Sequence, residues 1–192
     1  MTAQQPPVEL TFETPWVPAW RPEFIGTLVF IVQQDQVLLI HKKTGHGAGK
    51  VNGPGGKLDP AEQVLACAQR ELYEEVGLKA DDLVCRAEMR FVELNGPQWL
   101  GFAFTGSQVS GQLSETREAA PFWCPLNEIP YTRMWPDDAI WLPLILDAHH
   151  QLKQGENQQA DVFVADYLFD DGELLEHQVS TDASIWSSIN AD

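Results

Sequence analysis

Apolar residues recur along the chain with two different periods. From Phe24 to Ile40 they form the runs GTLVFIV and VLLI, interrupted at Gln33-Gln34-Asp35-Gln36. Short β-branched runs around a polar turn predict two strands. The period then lengthens, and Ala61, Leu65, Ala68, Leu72 and Val76 recur at helical spacing. Asp59-Pro60-Ala61-Glu62 supplies a capping carboxylate, a proline at the first helical position and a glutamate three residues after the cap. It reads as a helix start, and Gly77 as the helix end. Strand-like runs return over Leu83–Leu94 and Trp99–Thr105, with a turn at Asn95-Gly96-Pro97. Residues 106–120 are polar and read as a loop, and Pro121–Leu126 as a short strand. Pro136-Asp137-Asp138 opens a second helix that reaches about Lys153, with Pro143 predicting a bend or an interruption. After a polar linker at 154–159, Asp161–Leu168 and Glu173–Val179 predict a hairpin around Asp170-Asp171-Gly172. Strands flanking helices in this order predict an α/β sandwich with a mixed sheet.

Residues 1–23 form a separate arm, rich in proline and carrying Trp16 and Trp20. Two tryptophans predict that part of it packs against the domain, which we place at 24–180, with residues 181–192 as a fraying tail. Lys42–Asn52 (KKTGHGAGKVN) is too glycine-rich for regular structure and is basic in an acidic chain. It reads as a loop for triphosphate or base contacts, leading through Gly53-Pro54-Gly55-Gly56 into the first helix.

The 192 residues are 44% apolar and suffice for one domain with a sizeable core. A net charge of −16 argues against binding polymeric nucleic acid, but a metal ion can still join an acidic protein to a nucleotide. Cys67, Cys85 and Cys124 are scattered and odd in number, which favours neither a disulfide framework nor a zinc site. With no signal sequence and no apolar run long enough to span a bilayer, we expect a cytoplasmic monomer without membrane contacts.

The charge pattern within the first helix points to chemistry. Glu71, Glu74 and Glu75 fall within an arc of roughly 100° beside the apolar stripe. They repel one another at the negative end of the helix dipole, an arrangement that a hard cation relieves. Oxygen ligands without Cys or His suit Mg²⁺ or Mn²⁺ rather than zinc.

Gly56, Glu62, Arg70, Glu71, Leu72, Glu74, Glu75, Gly77 and Leu78 fill every fixed place of the Nudix box, and the chain resembles that family. The resemblance implies a Nudix-type α/β/α sandwich. It also implies a metal-dependent hydrolase of a nucleoside diphosphate joined to a further group. In such a site Gly55, Glu71, Glu74, Glu75 and Glu118 surround the metal, and Gly56, Glu62, Arg70 and Gly77 hold the box. Glu71, Glu74 and Glu118 are the candidates for general base.

The runs GAGKVNGPGGK and NEIPYTRMWPDDAIWLPL extend the likeness to the mammalian MutT-homologue type of oxidised purine nucleoside triphosphatase. That branch implies that Asp137 and Asp138 bind the oxidised base, that Trp135 packs on it and that Asn52 touches it. Lys42, His46 and Phe91 line the nucleotide site. His46 stands where the branch has phenylalanine, and Val51 where it has tryptophan, changes that bear on base preference. The implied substrates are 8-oxo-dGTP or 2-hydroxy-dATP, cleaved to monophosphate and pyrophosphate so that the nucleotide pool is sanitised. Adjacent carboxylates in a pocket resist double ionisation, so one can keep a proton and offer the base both a donor and an acceptor. Hydrolysis of another nucleoside diphosphate derivative and non-catalytic nucleotide binding remain the alternatives.

Overall fold

The computed structural model describes residues 10–154 and 163–182. Most of the linker, the start of the last hairpin and most of the tail therefore lie outside the described residues. The elements are β1 (Phe24–Gln33), β2 (Gln36–Lys42), β3 (Val51–Asn52), α1 (Val64–Val76), β4 (Leu78–Ala80), β5 (Val84–Glu93) and β6 (Trp99–Gly106). They continue with β7 (Val109–Gly111), β8 (Ala119–Pro125), α2 (Asp138–Gln154), β9 (Phe163–Asp170) and β10 (Glu173–Ser180). The strand order of the main sheet is β10-β9-β5-β6-β1-β2-β3, with β8 also on β2. Its β1–β6 and β5–β9 pairs are parallel and the others antiparallel.

Alternation along the strands makes the two cores. Val29 and Ile31 of β1 and Leu38 and Ile40 of β2 pack with Ala68, Leu72 and Val76 of α1. Phe30, Val37 and Leu39 point to the other face and pack with Trp141, Leu142 and Ile145 of α2. Each helix thus covers one face of the sheet, the α/β/α sandwich expected from the sequence.

One irregularity places the site. β1 and β2 pair only at Val32–Val37 and Gln33–Gln36, beside a turn where Gln34 and Asp35 take φ of 48° and 60°. Beyond that point the strands part, and the glycine-rich segment takes over the edge of β1. Thr27 N donates to Gly56 O at 2.9 Å and Val29 N to Pro54 O at 2.8 Å.

Several expectations need correction. The first helix begins at Val64 behind Gln63, which makes no side-chain cap, rather than at Pro60. Ala61 has φ 64°, and Glu62 N donates to Asp59 O while Asp59 N donates to the Glu62 carboxylate, so the capping sequence closes a turn instead. Arg70 holds that same carboxylate and fixes the turn across the helix. The buried stripe is accordingly Val64, Cys67, Ala68, Leu72 and Val76, while Ala61 and Leu65 are exposed. The polar 106–120 segment contains β7, which pairs with β4, and the glycine-rich loop ends in β3 against β2. The second helix runs through Pro143 without interruption.

Part of the arm lies on the α1 face. Phe12 and Trp20 exchange two backbone hydrogen bonds of 2.8 Å and are buried in the α1-side core. Trp20 Nε1 also donates to Gln98 Oε1 at 2.7 Å.

Candidate active site

The acidic half of the site is built around Arg70 and Lys42. Arg70 grips both oxygens of Glu62, with Nε donating to Oε1 at 2.7 Å and Nη2 to Oε2 at 2.8 Å. That grip holds the Glu62 carboxyl down to about 2. Arg70 Nη1 also donates to Glu71 Oε1 at 2.8 Å and to Glu74 Oε2 at 2.9 Å. Glu71 packs against Gly56, where any Cβ would overlap its carboxyl group. Burial raises the proton affinity of Glu71, and the Arg70 hydrogen bond opposes this only in part. Glu75 is buried, taking a hydrogen bond from Gly55 N at 2.9 Å on Oε2 and one from Lys42 Nζ on Oε1. Lys42 Nζ also donates to Gly55 O at 3.3 Å.

The three box glutamates therefore do not converge in this state. Among the described residues no set of three acidic, histidine or cysteine side chains is poised around one point. Each glutamate instead answers a cation of the protein itself. The donor set nevertheless fits a hard ion. The ammonium of Lys42 lies against Gly55 O and Glu75 Oε1, two of the expected ligand atoms, and all the donors are oxygen.

The other half is the base side. A cleft of about 790 Å³ opens where β1 and β2 part. Lys42, His46, Asn52, Gly55, Gly56, Phe91, Glu118, Trp135, Asp137 and Asp138 all line it, whereas Glu71 and Glu75 reach it only through their contacts with Gly56, Gly55 and Lys42, and Glu74 is not part of its lining. Asp137 and Asp138 are 3% and 2% exposed, so their charges are largely removed from water. Asp137 Oδ2 accepts from Trp141 Nε1, and Asp138 Oδ2 accepts from Trp135 N, each at 2.8 Å. Burial pushes Asp137 up to about 6. Burial, followed by repulsion from Asp137, pushes Asp138 well above the usual range. Asn52 Oδ1 accepts from Gly53 N at 2.8 Å. Phe91 stacks on Tyr167 as well as facing the cleft, so it serves the core and the site together. Glu118 is exposed at the cleft.

His46 stacks on Trp135, and also on Trp99, which sequence reasoning passed over. Burial, and then the charges of Lys57 and Lys42, lower the proton affinity of His46. Lys50 Nζ lies 4.5 Å from the Trp135 ring centroid, and Lys57 Nζ lies 4.9 Å from that of Trp99. The available signal for Trp99 is a large aromatic at the first position of a strand, one residue beyond the Asn95-Gly96-Pro97 turn.

This arrangement joins a glutamate-bearing helix, a glycine-rich turn at its foot and a nucleotide-sized cleft. The NUDIX domain is matched over residues 22–145. The chain belongs to the Nudix family.

Among Nudix relatives, the oxidized purine nucleoside triphosphate hydrolase of Mus musculus is 40% identical over 121 residues, covering 62% of this chain and 78% of that one. The protein of the same description from Danio rerio is 38% identical over 139 residues, covering 72% and 89%. The solved structure of the mMutator MutT protein from Bacillus halodurans shares the fold with a TM-score of 0.69 at 21% identity, covering 83% of this chain and 99% of that one.

Proposed function

We propose that this Nudix protein hydrolyses oxidised purine nucleoside triphosphates to monophosphate and pyrophosphate, in a reaction that depends on Mg²⁺ or Mn²⁺. Its proposed place is the cytoplasmic nucleotide pool. The observation that carries the reading is the buried Asp137–Asp138 pair on the cleft wall beside Trp135. The 40% and 38% identical relatives support the same substrate class.

Two adjacent buried carboxylates share a proton at neutral pH, so one donates a hydrogen bond and the other accepts one. Each has one oxygen committed to a tryptophan N–H. Moving the proton between them lets one pocket meet the different edges of oxidised guanine and oxidised adenine. Asn52 and Trp135 complete the base side.

At the phosphate end, Gly55, Glu71, Glu74, Glu75 and Glu118 would hold the metal. When bound, such an ion would supply charge neutralisation for the polyphosphate and would acidify a water molecule. Lys42, once exchanged from Glu75, is free to meet a phosphate oxygen. Glu71 gains proton affinity from burial, which suits a group that takes a proton from that water. Arg70 keeps Glu71 and Glu74 oriented through its two hydrogen bonds.

The test is pyrophosphate release with Mg²⁺ from 8-oxo-dGTP, 2-hydroxy-dATP and dGTP, compared as kcat/KM. Preference for either oxidised nucleotide supports the reading. Equal turnover of dGTP removes base recognition while leaving Nudix chemistry in place.

A further inference from the structure

Gln98 stands between the arm and the cleft and uses the whole of its side-chain amide. Its Oε1 accepts from Trp20 Nε1 at 2.7 Å and from Glu93 N at 3.2 Å. Its Nε2 donates to Glu93 O at 2.6 Å and to Gly96 O at 3.0 Å. Two donors meet the oxygen and two acceptors meet the nitrogen, so the carboxamide is satisfied in one orientation only. Turning it over would set like groups against each other at all four contacts.

The segment that Gln98 holds is a rim of the cleft. The chain between β5 and β6 doubles back so closely that a Cβ on Gly96 would lie 2.6 Å from Glu93 Cγ. Glu93, Asn95, Gly96 and Pro97 line the cleft, whereas Gln98 and Trp20 are not part of its lining. On its far side the turn is tied to the β9–β10 turn, where Asn95 Nδ2 donates to Asp170 Oδ1 at 2.7 Å and Asp171 N to Glu93 Oε1 at 3.1 Å. Both of those bonds are exposed, and water competes for them. The four bonds of the Gln98 amide are part-buried and are the more demanding to break.

The arm end of this chain of contacts is fixed. Trp20 is buried in the α1-side core and exchanges two backbone hydrogen bonds with Phe12. A close-packed indole has few other positions, so its N–H sets where the Gln98 amide lies. The Gln98 backbone is tied to the same end of the arm, since Glu23 N and Phe24 N donate to Gln98 O at 2.9 and 3.1 Å.

We propose that Trp20 is a positioning residue for nucleotide binding: acting through Gln98, it fixes the 93–97 segment as one rim of the cleft. The arm is then part of the binding apparatus, although Trp20 precedes the Nudix domain and stands outside the cleft. This rests on the reading that the cleft takes a nucleotide. The rim carries none of the box glutamates, which lie on α1, so its displacement weakens binding and leaves the chemical step alone. KM rises and kcat holds.

Steady-state pyrophosphate release from 8-oxo-dGTP, read beside hydrogen exchange of segment 93–98, tests this. Trp20→Phe keeps an aromatic ring in the core and removes the N–H donor. It is expected to raise KM about threefold or more with kcat unchanged, the scale of one lost hydrogen bond. Exchange in 93–98 is expected to quicken while that of α1 stays as in the wild type. Gln98→Met loses the amide and is expected to raise KM at least as much, and adding Trp20→Phe to it should raise KM no further. Unchanged KM, unchanged exchange in 93–98 or a full further increase in the double variant overturns the proposal. Exchange that quickens equally in α1 and in the rim also overturns it, because the tryptophan then serves global stability alone. If the wild type releases pyrophosphate from no nucleoside triphosphate, the functional reading falls, and the exchange pattern by itself decides whether Trp20 fixes the rim.

Discussion

Lys42 and Glu75 form an ion pair where β1 and β2 part, and the same ammonium reaches Gly55 O at 3.3 Å. The pair is nearly dry, with side chains 16% and 2% exposed. It joins the end of β2 to the last turn of α1, and so links the strand edge of the cleft to the acidic helix.

Removing one partner of such a pair strands the other charge. Lys42→Met is expected to lose about 3–5 kcal/mol of stability, since Glu75 is left buried without its cation. Added Mg²⁺ is expected to restore more stability to the variant than it adds to the wild type, because the ion takes the place the ammonium held. Denaturation in urea with Mg²⁺ and with chelator measures both effects. Equal stabilisation of the two proteins by Mg²⁺ would show that Lys42 and the ion do not share the position.

The aspartate pair predicts a pH dependence of known sign. Asp137 is raised to about 6 in the folded protein and Asp138 is raised further, so the folded state binds protons more tightly than the unfolded chain. Their contribution is fully present below an unfolded carboxyl pKa of about 4 and is lost as pH rises through the folded values. Asp138→Asn should therefore match the wild type at low pH and become the more stable of the two as pH rises toward neutrality. The same variant should change the ratio of kcat/KM for 8-oxo-dGTP and 2-hydroxy-dATP. A stability difference that is flat with pH would remove the shared-proton account.

Gly56 and Glu71 are in direct contact, and a methyl group at 56 would overlap the carboxyl. Gly56→Ala is expected to lower kcat by about 10²-fold, the scale of a misplacement near 1 Å at a reacting centre. Its melting temperature should change little compared with that loss, because α1 starts beyond the turn at Val64. Full activity in Gly56→Ala would show that the position of Glu71 is unimportant.

The arm is expected to matter for stability. Trp20 is 2% exposed and pairs with Phe12 on the α1 face of the sheet, so Trp20→Ala should cost about 3–5 kcal/mol. A loss below about 1 kcal/mol in chemical denaturation would mean that the arm merely rests on the sheet.

Local pattern determined a good deal. Hydrophobic period and turn residues located β1, β2, β5, β6, β8, the last hairpin and both helices within a few residues. Glu71, Glu74 and Glu75 were legible because charge repeats on one helix are set by the 3.6-residue turn alone. Asp137 and Asp138 were legible as a pair because they are adjacent.

Tertiary structure decided what lies across the chain from what. The capping sequence at Asp59–Glu62 closes a turn rather than a helix start, and Arg70, eight residues beyond Glu62, holds the same carboxylate from α1. Glu71 and Glu74 answer Arg70 rather than one shared point, while the buried Glu75 takes the cation the fold supplies at Lys42. Trp99, His46 and Trp135 come from β6, a glycine-rich loop and the approach to α2, and no spacing in the sequence relates them. They meet because β1 and β2 separate after two residue pairs and leave a cleft between them. Sequence periodicity reports which face a residue shares with its near neighbours, whereas a cleft between elements is set by how those elements pack.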